Sequence, residues 1–391
     1  MLQKTFASAM LAALLMTVAP ASAVDASPFE IDAIASLTGA GAFIGQGEQD
    51  TLRRVEDSVN RTGGIHGRPV HFVVYDDQTN PQLSVQLMSQ ILSKKAAVVI
   101  GPTITPTCLA VMPFVQDKIV QYCGSPGIHP PRDSYSFSST IGTPDLFRAF
   151  VQFFRERGLT HLAMLVPSDA VGQDADANMK YALSLPENKN VAIVAHEYMN
   201  NTDLSVAAQI AKIKNAKPQA LIAWTVGAPT GTVLRAMTDA GFDVPVATSN
   251  ANMTYAAMKQ WAGFLPKELD FPGVPYLAGL AGSAQQQIAL RSFFEEMKLE
   301  GARPDFQTGL FWDPAMLIVT AFRTLGTNAT PQQIRDYIEK VHDFAGISGV
   351  YDFRDGSQRG LSQKDVIIMR WDVTKGTWVA ASSFGGAQPR R

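Results

Sequence analysis

From Phe29 onward the chain alternates short apolar runs with longer amphipathic ones, and this alternation restricts the fold more than any other feature. Residues 29–37 read as a strand and Thr38-Gly39-Ala40-Gly41 as a tight loop. Residues 46–61 follow as an amphipathic helix, with Leu52, Val55 and Val59 at helical spacing. Gly63-Gly64 stops it. Residues 70–75, 96–100 and 119–123 read as further strands, separated by a helix that Pro81 opens and by one over 107–116. Strands connected in this way cross over right-handedly, which gives parallel sheets covered on both faces.

The alternation restarts after residues 138–144. Helices over 146–157, 171–185, 206–214 and 229–240 intervene between strands over 161–166, 191–196, 220–224 and 244–248. Two α/β units of similar make-up result. Residues 271–275 (Phe-Pro-Gly-Val-Pro) read as the clearest linker. Helices over 283–299, 312–325 and 331–341 come next, then a β-rich end over 346–353 and 366–371. This last part is too small and irregular for a third domain, so it is expected to complete the first two.

The N-terminus reads as a cleavable signal peptide over residues 1–23: Lys4, an apolar run over 6–18, and Ala21-Ser22-Ala23. The run is shorter than the roughly 18 apolar residues a membrane span needs, and Pro20 breaks it. No cysteine follows the cleavage site, so a lipid anchor is not expected and the chain is assigned to the periplasm. A hydrophobic share of 46% with 17% charged residues implies a large packed core. Net charge is −2 with the cations dispersed, which gives a nucleic acid nothing to grip. The two cysteines, Cys108 and Cys123, are either a disulfide or two buried thiols.

Catalytic signatures are missing. Six histidines stand singly, the cysteines form no C-x-x-C, and neither a nucleophile elbow nor a phosphate-binding loop occurs. Gly39, Gly41 and Gly45 after the first strand imitate a dinucleotide fingerprint, but the third glycine is one place late. Asp76 also lies 37 positions past Gly39, where about 20 is the rule. An enzyme is not expected, and neither is a cofactor or a metal.

Residues 35–47 (ASLTGAGAFIGQG), 60–67 (NRTGGIHG), 75–77 with Asn80-Pro81, 99–102 (VIGP), 234–241 (LRAMTDAG) and 349–360 (GVYDFRDGSQRG) occur in a telling order. In that order the chain resembles the leucine/isoleucine/valine-binding type of periplasmic solute-binding proteins. The resemblance implies an α/β fold of two doubly wound lobes with parallel sheets. A three-strand hinge joins them and the ligand lies in the cleft. It would place residues 24–140 and 274–349 in one lobe, and 141–273 and 350–391 in the other.

The same resemblance locates candidate ligand contacts in the loops beyond the strands' carboxyl ends. In the first lobe these are Thr103 and Thr105, where a hydroxyl and backbone N–H groups meet a carboxylate in the family, or where threonines simply cap a helix. Ser125, Gly127 and His129 form the second contact segment. In the second lobe the family's amino-acid binders carry an acidic residue for the α-ammonium where this chain has Asn250. Two family tyrosines are matched only by Val171 and Val226. A buried ammonium without an anion is costly, so this departure argues against an ordinary α-amino acid. Phe43, Trp224 and Phe306 gather near the same openings and suit a flat apolar body. The resulting expectation is a monomeric receptor for an aromatic acid that delivers it to the membrane permease of an ABC transporter. Branched-chain amino acids or small amides are the alternative ligands, and a signalling subunit the alternative role.

Overall fold

The computed structural model describes residues 27–299, 301 and 303–389. The proposed signal peptide lies outside them. The first lobe is built on β1 (Phe29–Ala35), β2 (Val70–Asp76), β3 (Val98–Ile100), β4 (Val120–Cys123) and β5 (Ser136–Ser138). These form an all-parallel sheet in the order β2-β1-β3-β4-β5. The connecting helices are α1 (Ala42–Arg61), α2 (Pro81–Ser93) and α3 (Thr105–Val111). Leu52, Val55 and Val59 of α1 are buried against the sheet, each contributing about 2 kcal/mol of hydrophobic stabilisation.

Helix α1 begins four residues before the expected position. Its first turn packs on the end of β1, where a Cβ on Gly45 would stand 2.2 Å from Ser36 O. Gly45 therefore serves strand-to-helix packing, while Gly41 lines the cavity described below. Strand β5 was not expected at all. It is three residues long and serine-rich, so no apolar alternation betrays it, and its pairing with β4 holds it in place.

The second lobe adds α4 (Thr143–Glu156), β6 (His161–Pro167), α5 (Ala170–Ser184), β7 (Ala192–Met199), α6 (Ala207–Asn215), β8 (Ala220–Ala223), α7 (Ala228–Asp239), β9 (Val246–Thr248), α8 (Tyr255–Trp261) and β10 (Leu269–Gly273). After α9 (Ala284–Leu299), α10 (Phe306–Leu310), α11 (Trp312–Leu325) and α12 (Pro331–Lys340), a short pair β11 (Phe344–Ala345) and β12 (Val350–Tyr351) leads to β13 (Ile367–Asp372) and β14 (Thr377–Phe384). The sheet order is β14-β13-β10-β9-β8-β6-β7, with β13 and β14 antiparallel to their neighbours.

Residues 271–275 are thus not simply a linker: 269–273 form a strand inside this sheet. Pairing of β10 with β9 ends at Asp270, so Pro272 lies past the last residue of that ladder. Asp270 itself is buried and accepts from Nε and Nη2 of Arg370 on the facing strand, at 2.7 and 3.0 Å. Helices α10 and α11 pack on α1, and α12 on β4. Among the described residues no helix is long and apolar enough to cross a membrane.

Candidate ligand-binding cleft

The carboxyl ends of the parallel strands in both lobes face one another, and a cavity of about 140 Å³ lies between them. From the first lobe come Thr103, Thr105, Ser125 and Gly127, with Thr140 and Thr143 from the crossing into α4. From the second come Val171, Trp224, Val226 and Asn250, with Asp169 and Asp174 at the start of α5. Phe306, Gln307 and Leu310 close the hinge side. Eight of the ten residues expected at the site therefore line one space: Thr103, Thr105, Ser125, Gly127, Trp224, Val226, Asn250 and Phe306.

The other two, Phe43 and His129, do not line it. Phe43 lies in the first turn of α1, and its ring meets Gly227 at the start of α7 in the opposite lobe. His129 is half exposed and places Nε2 2.5 Å from Asp174 Oδ1 on α5. Both side chains bridge the lobes beside the cavity instead of entering it. A third bridge runs from Gln307 Nε2 to Ala251 O at 2.7 Å.

The first-lobe wall is a set of hydroxyls. Thr105 Oγ1 and Ser125 Oγ are 2.6 Å apart, and Gly127 N–H donates to Ser125 Oγ at 3.1 Å. The residue capping α3 is Ile104, whose side chain makes no capping bond, so Thr105 is not a capping threonine here. Thr107 instead donates back to Ile104 O and stays out of the cavity. Cys108 and Cys123 are disulfide-bonded, with Cα atoms 6.0 Å apart. That bond ties the helix carrying Thr105 to the strand preceding Ser125.

Behind Thr103 lies Glu48, buried on α1, which accepts the Thr103 hydroxyl. Burial pushes its carboxyl pKa well above the ordinary value, against the lowering effect of the Thr103 hydrogen bond. The acid beside the anchor is thus held toward its neutral form.

The second-lobe wall combines the apolar Val171, Trp224 and Val226 with the polar Asp169, Asp174 and Asn250. Trp224 follows directly on β8 and packs on Phe147 and Phe150 of α4, with ring centroids 4.9 and 6.3 Å away. Asn252 fixes the loop: its Nδ2, with two hydrogens, is shared among Thr225 O, Thr230 Oγ1 and Thr248 Oγ1, and its Oδ1 accepts from Gly227 N–H. An unsatisfied buried amide costs about 1–3 kcal/mol, so satisfying both ends of Asn252 favours this arrangement of the loop. Asn250 is 3% exposed beside it.

The sequence did not single out Thr140, Thr143, Asp169, Asp174 or Gln307. Thr143 Oγ1 and Gln307 Oε1 are buried and have no hydrogen-bond partner among the described residues. Thr143 precedes a proline at the opening of a helix, a local signal that marks a boundary without marking a contact.

The profile of the periplasmic binding protein family matches residues 28–377. The chain belongs to this family. Its members are solute-binding receptors. The binding protein is 21% identical over 353 residues to a leucine-, isoleucine-, valine-, threonine- and alanine-binding protein of Pseudomonas aeruginosa, covering 87% of this chain and 89% of that one. Among solved structures it resembles a fatty acid ABC transporter substrate-binding protein from Thermomonospora curvata, with a TM-score of 0.78, 17% identity and 92% of each chain covered. It also resembles a branched-chain amino acid transporter substrate-binding protein from Streptococcus pneumoniae in complex with isoleucine. There the TM-score is 0.75 at 16% identity, over 90% of this chain and 99% of the other. At these identities the structural likenesses establish the shared two-lobed fold.

Proposed function

We propose that this protein captures a small aromatic carboxylate, of the benzoate or phenylpropanoid type, in the periplasm and delivers it to an ABC-type permease. The observation that carries the reading is a cavity that sets the hydroxyls of one lobe against Val171, Trp224 and Val226 of the other. Its size supports a ring, because an apolar cavity of about 150 Å³ accommodates benzene. Thr105 would donate to the carboxylate, with Ser125 donating to Thr105 behind it, while Trp224, Val226 and Val171 enclose the body. Asn250 is neutral, so it offers an α-ammonium no counter-charge.

Asp174 favours a second reading. It lines the cavity, and its Oδ2 approaches Gly127: a Cβ there would lie 3.1 Å from it. A carboxylate so placed is chemically able to pair with the ammonium of a branched-chain amino acid, the ligand class named for two of the relatives. The relative named for fatty acids weighs on the other side.

A thermal-shift panel of benzoate, 3-phenylpropionate, leucine and isoleucine separates the two. Ligand at 100 times its Kd stabilises by about 2.7 kcal/mol. Aromatic acids are expected to raise the melting temperature and the amino acids to leave it unchanged. The reverse pattern would refute the aromatic-acid reading and establish the Asp174 one.

A further inference from the structure

We propose that Arg359 strengthens the anion anchor from behind, its guanidinium polarising a hydrogen-bond chain that ends on the Thr105 hydroxyl in the cavity. The proposal rests on the carboxylate reading above. Arg359 is 6% exposed and lies between β12 and β13, outside the cavity lining. Its Nη1 donates to Ser138 Oγ at 2.8 Å and Thr140 O at 2.9 Å. Its Nη2 donates to Pro126 O at 3.0 Å and to Ile128 O. All four acceptors are neutral. Burial lowers its pKa to about 10, so the side chain keeps its charge at neutral pH.

The carbonyls that Arg359 gathers belong to the anchor loop. In a trans peptide the C=O and N–H point in opposite directions. With Pro126 O turned to the guanidinium, the Gly127 N–H faces the other way and donates to Ser125 Oγ at 3.1 Å. Ser125 Oγ then meets Thr105 Oγ1 at 2.6 Å. If Ser125 donates in that pair, the Thr105 hydrogen is left for an anion. Each donor in such a chain is made more acidic by the one before it, so a cation at the start strengthens the last link. Ser138 also receives Arg359 and donates to Ser125 O at 2.9 Å, which holds the same loop without extending the chain, because the next nitrogen is that of Pro126.

A residue that only shaped the loop would affect every ligand alike. Polarisation instead acts on ligand charge, so the discriminating quantity is the ratio of benzoate to benzamide affinity, measured by titration calorimetry. Arg359→Met is expected to lower that ratio about tenfold, or about 1.4 kcal/mol. Arg359→Lys should retain most of it. In a Ser125→Ala background, where the chain is already cut, Arg359→Met should leave the ratio unchanged. An equal loss for benzoate and benzamide, or the same fall in the Ser125→Ala background, overturns the proposal. Should Arg359→Met fail to fold, Arg359→Gln takes its place: an unchanged ratio overturns the proposal and a reduced one supports it. A wild-type protein that binds no carboxylate would instead defeat the parent reading, and this one with it.

Discussion

Replacing Gly227 by alanine separates closure of the cleft from stability of the fold. Gly227 precedes α7 with φ +71° and ψ −132°, a region that disfavours a side chain. The change should therefore cost about 1–2 kcal/mol of folding stability whether the cleft is open or shut. A second cost exists only when the lobes meet. The new Cβ would lie 2.7 Å from the Phe43 ring across the cleft, closer than unstrained carbon contacts allow. Relieving it requires Phe43 to leave its place or the lobes to part, at about 1–3 kcal/mol by analogy with overpacked cores. Ligand affinity should then fall about 5- to 150-fold. Trimming the ring with Phe43→Ala in the same chain should restore much of the affinity and none of the stability. Calorimetric titration gives the first quantity and thermal unfolding the second. Wild-type affinity in Gly227→Ala, or no recovery on adding Phe43→Ala, would show that this contact does not govern closure.

Two further outcomes follow from the anchor's surroundings. The Cys108–Cys123 bond closes a 15-residue separation, and converting both to alanine should cost about 3 kcal/mol of stability, read from denaturant midpoints, and also weaken ligand binding. Equal affinity in the double mutant would mean the bond does not hold Thr105 and Ser125 in register. Glu48 has a folded-state pKa raised by burial, so the native state binds its proton more tightly than the unfolded state does. Stability from this group is complete below the unfolded value near about 4.3 and is lost as pH rises toward the folded one. Glu48→Gln, which has no proton to lose, should therefore gain on wild type as pH rises from 4 to 8, and parallel curves would contradict the burial argument.

The α/β alternation was legible because long periodic helices announce themselves. Strand β5 was not, since three buried residues with two serines carry no period. Strand β10 was hidden by Pro272 and Gly273, which read as punctuation wherever no ladder is visible. Trp224 and Val226 could be found from the sequence because they directly follow a strand in a fold whose ligands sit at strand ends. Phe43 and His129 stand at the same kind of position, yet their partners belong to the other lobe, and lobe contact is not a local property. Arg359 lies within a motif that carried the family likeness, but its acceptors are 219 to 233 positions away and are mostly main-chain oxygens. No pattern of residue types records such bonds.

Anchoring of a carboxylate by hydroxyls of the first lobe is open to direct inspection in a crystal structure of the protein with benzoate. A benzoate oxygen should lie within hydrogen-bond distance of Thr105 Oγ1, with the ring against Trp224 and Val226 and Asn250 away from the carboxylate. A carboxylate held by Asn250 or by any group of the second lobe, with Thr105 still bonded only to Ser125, would contradict it.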